Sequence, residues 1–200
     1  MHSKEGRPMN VRGNPAPRTR RTRGQIAFRA VAIGSIASLA VHGALAVFGR
    51  SAGRSAFAPI NATSHIVHGP AAGTVDEADL SHTGVGAVIN HGASIFWAVP
   101  LAWWLATRRE TSTADIVRGA AATGITAGVI DYGVVPRRLS PGWHLALPAS
   151  SVAGTFGALA AGLALGALLT RDPGGAPSQR TRGNVVGRKR PRPVGSSNGS

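Results

Sequence analysis

The chain has no cysteine, which excludes disulfides, thiolate zinc sites, iron–sulfur clusters, covalently attached c-type haem and cysteine nucleophiles. Charge is also scarce. Asp, Glu, Lys and Arg make up 15% of the 200 residues against 43% hydrophobic ones, a balance that soluble domains seldom show. Catalytic signatures are missing too: there is no Ser/His/Asp order, no glycine-flanked nucleophile, and no Walker or dinucleotide loop. Catalysis is therefore not expected. What charge there is sits at the ends. Residues 1–24 carry +6 (seven Lys or Arg and Glu5), residues 171–200 carry +6 (seven and Asp172), and the 146 residues between them only +2. An apolar middle lies between two basic tails.

Charge-free runs locate membrane spans, because one charge at mid-bilayer costs roughly 2.5–3.5 kcal/mol on insertion scales. Ala30 to Gly49, Leu80 to Thr107 and Leu139 to Thr170 run for 20, 28 and 32 residues without Asp, Glu, Lys or Arg, and about 20 residues cross a bilayer. A fourth segment, Asp115 to Val135, is interrupted by Arg118 and Asp131; without it one basic segment would change sides. The expected fold is all-α: a polytopic membrane protein, a bundle of four transmembrane helices at about 27–49, 83–106, 115–135 and 146–170. An outer loop covers 50–82, and the tails 1–24 and 171–200, rich in Gly, Pro, Ser and Arg, are expected to be disordered.

Counting basic residues orients the bundle. With both termini inside, the cytoplasmic side collects 16 Lys and Arg and the outside Arg50, Arg54, Arg137 and Arg138, so the N-in, C-in arrangement satisfies the positive-inside rule. Arg29 and Arg118 are left to snorkel from the cytoplasmic ends. The rival for the first span is a cleaved signal peptide after Arg18, Arg20, Arg21 and Arg23, but such apolar cores run only about 7–15 residues. Small residues recur at four-residue spacing at Ala120, Gly124 and Gly128, and again at Ala158, Gly162 and Gly166, while Gly34 and Ser38 share one register. Those stripes are the surfaces on which helices in lipid approach closely.

The basic tails suit anionic lipid at the cytoplasmic face. Arg20, Arg21 and Arg23, with Arg188, Lys189 and Arg190, are the expected lipid contacts, at about 1 kcal/mol per basic residue near the surface. Tails without interleaved aromatics or a folded basic domain argue against nucleic acid. A membrane-protein partner or a second copy of the chain remains as a further contact.

Ionisable residues inside spans mark candidate sites. His42 and His91 fall about 10–12 Å below the outer ends of their helices, Asp131 about 6 Å, and His144 sits at the mouth of the last span; Asn90, Ser94 and Tyr132 belong to the same layer. The expected ligand or proton site is His42, His91, Asp131, His144, Asn90 and Tyr132, with one imidazole within direct or one-water reach of Asp131, Asn90 or Tyr132. Asp131 has Arg137 and Arg138 as its alternative partners. His65 and His68, three apart on a short helix that Gly69 closes, form a candidate metal pair. No cofactor is expected from a motif, but imidazole and carboxylate would suit a divalent metal or a b-type haem.

Three stretches stand out: Ile60-Asn-Ala-Thr-Ser-His65, Ile89-Asn-His-Gly-Ala-Ser-Ile-Phe-Trp97 and Asp131-Tyr-Gly-Val-Val-Pro-Arg-Arg-Leu-Ser-Pro-Gly142. Across roughly residues 58–145 the chain resembles uncharacterised bacterial four-span inner-membrane proteins. That resemblance implies one architecture for the three stretches and a bacterial plasma membrane as the address, and carries no activity. The expected function is a non-catalytic structural or interaction protein. The alternative is a metal-, haem- or proton- and solute-handling protein built on the outer histidine layer.

Overall fold

The first helix begins where Thr22 can cap it. In the computed structural model, which describes residues 22–108 and 111–171, the Thr22 hydroxyl accepts from the Gln25 N–H and the Gln25 side chain accepts from the Thr22 N–H. This capping box satisfies two of the donors a helix start leaves open. Helix α1 then runs Arg23–Ser51, starting before the expected residue 27. Two short helices follow, α2 (Ala58–Thr63) and α3 (His65–His68), with Gly69 at positive φ closing α3. A π-helical turn, Leu80–Gly84, leads into α4 (Val85–Thr107). Helix α5 (Thr113–Gly133) opens on a second capping box, Ser112 with Asp115, and α6 (Ala149–Leu169) opens after Pro148. Every regular element among the described residues is helical.

Three of these segments, Arg23–Ser51, Leu80–Thr107 and Ala149–Leu169, are long and apolar enough to cross a membrane. Helix α5 is not among them. Its 21 residues rise about 31 Å at 1.5 Å each, but Asp115, Arg118 and Asp131 dilute its apolar character.

Helix α1 packs between α4 and α6, and α5 lies along α6 with a thinner seam to α4. Glycine makes those seams possible. A methyl placed on Gly162 of α6 would stand 2.6 Å from the Ala37 Cα of α1, and one on Gly34 of α1 would collide with the Ile95 backbone of α4. On α5, Gly124 meets Ala160 and Phe156 of α6 in the same way. The three small-residue stripes thus face other helices, as their spacing implied, because backbones approach most closely where side chains are absent.

Arg29 departs from expectation. Instead of snorkelling it is 6% exposed, and its guanidinium donates to the Ala167 carbonyl and the Thr170 hydroxyl, both at 3.3 Å. Those groups end α6, where carbonyls lack helical partners and the dipole favours a cation. Arg118 has its side chain 80% exposed and 4.0 Å from Asp115. The bond from Arg29 to Thr170 also puts the start of α1 and the end of α6 at one end of the bundle.

The other end carries the loops. Asn61 organises the first of them: its amide donates to the carbonyls of Val75 and Glu77, both at 2.9 Å, and its oxygen accepts from Thr83 at 2.6 Å. Arg54 pairs with Asp76 at 2.9 Å. Of the expected lipid contacts, Arg23 is exposed in the first turn of α1; Arg20, Arg21, Arg188, Lys189 and Arg190 lie outside the described residues.

Candidate functional site

At the loop end, helix α4 presents Asn90, Ser94 and Trp97 on one buried face, the i, i+4, i+7 spacing of a helical stripe. They line a cavity of about 80 Å³ together with Asp131 from α5, Phe156 and Leu159 from α6 and Val41 from α1. The loops roof it. Thr63 and Ile66 come from the first loop, and Leu139, Pro141 and Trp143 from the second.

Hydrogen bonding sets the polarity of the wall. The Trp143 indole is donor-only, and its Nε1–H donates to the Thr63 hydroxyl at 3.1 Å. Thr63 then has its own hydrogen to give, and the Asn90 Oδ1 lies 3.4 Å away to accept it. This order faces the amide oxygen toward Thr63 and leaves the Asn90 NH2 as the free side of the group. Asn90 is 3% exposed, and its Nδ2 is buried without a partner. A buried donor left unsatisfied costs about 1–3 kcal/mol. Asp131 belongs to the α5 wall of the same cavity, and the Trp97 indole N–H is the hydrogen-bond donor beside its carboxyl group.

No family model, curated protein or solved structure matches the chain. The site rests on its own geometry.

The remaining expected residues do not join this cavity. His91 is exposed on the bundle surface, because the buried stripe of α4 passes through Asn90 and turns its neighbour outward. His42 is half-buried, and its Nδ1–H donates back to the Ser38 carbonyl at 2.8 Å, with the Ser38 hydroxyl 3.2 Å away. Its Nε2 is enclosed without a partner. Among the described residues no direct hydrogen bond joins either imidazole to Asp131, Asn90 or Tyr132. Nor does an ion pair join Asp131 to Arg137 or Arg138. Tyr132 and His144 meet edge to face at 5.6 Å and line a separate apolar groove between α5 and α6. Burial, then the charges of His65 and Arg137, hold the His144 imidazole below its ordinary pKa.

The proposed metal pair is also separated. His65 is buried, with Nδ1 3.0 Å from the Ala62 carbonyl and Nε2 3.1 Å from that of Arg137. Both ring nitrogens thus face backbone carbonyls rather than a shared site with His68, and a neutral imidazole donates to one of the two carbonyls. His65 instead fastens the first loop to the second. His68 points elsewhere, its Nε2–H donating to the Ser81 carbonyl at 2.9 Å, with its ring 4.9 Å from that of His82. His82 in turn donates to Asp79 at 2.8 Å. Among the described residues no three His, Asp or Glu converge to hold a metal ion.

Thr63, Trp97 and Trp143 are the site residues that sequence reasoning did not single out. Trp97 shares the helical register of Asn90 and Ser94, a readable signal. Nothing local links Thr63 with Trp143, 80 positions apart.

Proposed function

We propose that the chain is an integral protein of a bacterial plasma membrane, crossing it four times with both termini cytoplasmic, and that it acts by binding rather than catalysis. Its outer half would hold a small polar solute in the cavity beneath the two loops. The observation that carries this reading is the Asn90 Nδ2, a donor kept buried and unpartnered on a wall that Asp131 shares. A buried amide satisfied at its oxygen alone bears the desolvation cost of its NH2, and an acceptor bound in the cavity would offset that cost. Support for α5 as a fourth span comes from its course: Gly119 sits against Trp104 and Leu101 near one end of the bundle, and Asp131 reaches the loop-end cavity at the other. The histidine layer, expected as the alternative site, has less support because its members diverge.

The test is a thermal-shift comparison in detergent of the wild type with Asn90→Leu against small polar solutes. The reading predicts that at least one solute raises the midpoint of the wild type and leaves that of the variant. Equal response of both, or none in either, would contradict it.

A second reading, a packing partner for another copy of the chain, draws on the groove between α5 and α6. This open groove of about 700 Å³ is lined by Gly124, Gly128, Gly157 and Ala160 with Ile125 and Val129, the kind of small-residue surface on which helices associate in lipid. Cysteines introduced at Ile125 and Val129 would cross-link between copies on this reading and remain monomeric otherwise.

A further inference from the structure

We infer that the loop-end cavity takes a small protonated amine carrying a hydroxyl, of the ethanolamine class; this rests on the pocket reading above and names its ligand. Three features of the walls converge on that chemistry. The first is size. An engineered cavity of about 150 Å³ accommodates benzene with its six heavy atoms, so about 80 Å³ suits three or four. The second is the pairing of one acceptor with one donor. Asp131 offers a carboxyl group with the Trp97 indole beside it; ionised in an apolar surround it calls for a counter-charge, and an ammonium group supplies one. Asn90 offers an N–H that needs an acceptor, and a second ammonium or a metal ion could not supply one. A hydroxyl can. The third is the aromatic lining. Trp97, Trp143 and Phe156 border the same space, with Trp143 and Phe156 in ring contact at 5.2 Å, and aromatic faces attract a desolvated ammonium.

The roof fits a ligand that arrives from outside the bundle. Thr63 belongs to the first loop and Trp143 to the second; Thr63 accepts from Trp143 and donates to Asn90. The donor order that leaves the Asn90 NH2 free is thus built from both loops. Ligand capture and loop closure share the same three side chains.

A hydroxylated amine could come as a free solute or as the headgroup of an aminophospholipid, and the experiment separates the two. Full-length protein is placed in nanodiscs of phosphatidylglycerol, which carry no amine, and titrated with ethanolamine while tryptophan fluorescence is followed, since Trp97 and Trp143 line the cavity. Saturable binding is expected. Ethylamine, lacking the hydroxyl, and ethylene glycol, lacking the charge, should each bind at least tenfold more weakly. Asp131→Asn should weaken ethanolamine at least tenfold yet change ethylene glycol by less than twofold, a split that a misfolded variant would not give. Repeating the titration in phosphatidylethanolamine nanodiscs assigns the source: a fivefold or greater loss of ethanolamine affinity means the headgroup competes, and an unchanged affinity means the free amine is the ligand. Ethylene glycol binding as tightly as ethanolamine would overturn the amine assignment while leaving a pocket. Absence of binding by all three solutes would overturn the pocket reading itself.

Discussion

Arg29 illustrates how one residue can reverse a rule read from sequence. An arginine six residues into an apolar helix was expected to reach back toward the membrane surface, yet it turns inward to the carbonyl end of α6. The partner lies 138 positions away, and no local pattern announces it. Replacing Arg29 by Met should leave the α6 terminus without its cation and cost about 1–3 kcal/mol, measured as a lower unfolding midpoint in a denaturant titration in mixed micelles. Gly162 is the opposite case, since its four-residue register with Ala158 and Gly166 was legible and the close approach to Ala37 realises it. Gly162→Leu should force α1 and α6 apart and cost about 1–3 kcal/mol or more by overpacking, whereas leucine at Gly157, beside which no neighbour lies within 4 Å, should be tolerated. Equal effects at the two positions would contradict the packing. The candidate site was half legible in the same sense. Asn90 and Asp131 were named because polar groups in spans are costly, but a residue's depth does not say which way it faces, and His91 turned outward for that reason.

Among the elements, the three apolar helices were readable from charge-free runs and needed only their ends adjusted, as where the capping box at Thr22 extends the first turn of α1. In the loop at residues 52–84 the short helix that Gly69 closes was readable, and the rest was not. Its order comes from Asn61 and Asp76 bonding to backbone groups 14 to 21 positions away and from the Thr83 hydroxyl donating to Asn61, which composition does not encode. Asp79 adds a pH-dependent part. The His82 N–H, then the His82 side chain, hold its carboxyl down at about 2, against an ordinary value of 3.8. Because the folded value is the lower one, the stabilisation is complete at neutral pH and is lost as pH falls from about 4 toward 2. Hydrogen exchange of the turn Leu80–Gly84, corrected for the intrinsic pH dependence, should accelerate over that interval, and Asp79→Asn should show fast exchange at neutral pH as well. An acid response unchanged in the variant would assign the effect to another carboxylate.

For the whole molecule, everything proposed depends on α5. Asp131 reaches the cavity because α5 runs the height of the bundle beside α6, and both tails share one side of the membrane only if α5 crosses it. The absence of cysteine makes the decisive measurement clean, because an introduced thiol has no background. Single cysteines at Ser112 and Val134, which flank α5, should be probed in intact cells with a membrane-impermeant maleimide before and after permeabilisation. Labelling of Val134→Cys in intact cells, with Ser112→Cys reacting only after permeabilisation, is the predicted result. Both positions reacting from the same side would remove the fourth span and, with it, the shared cavity of Asn90 and Asp131.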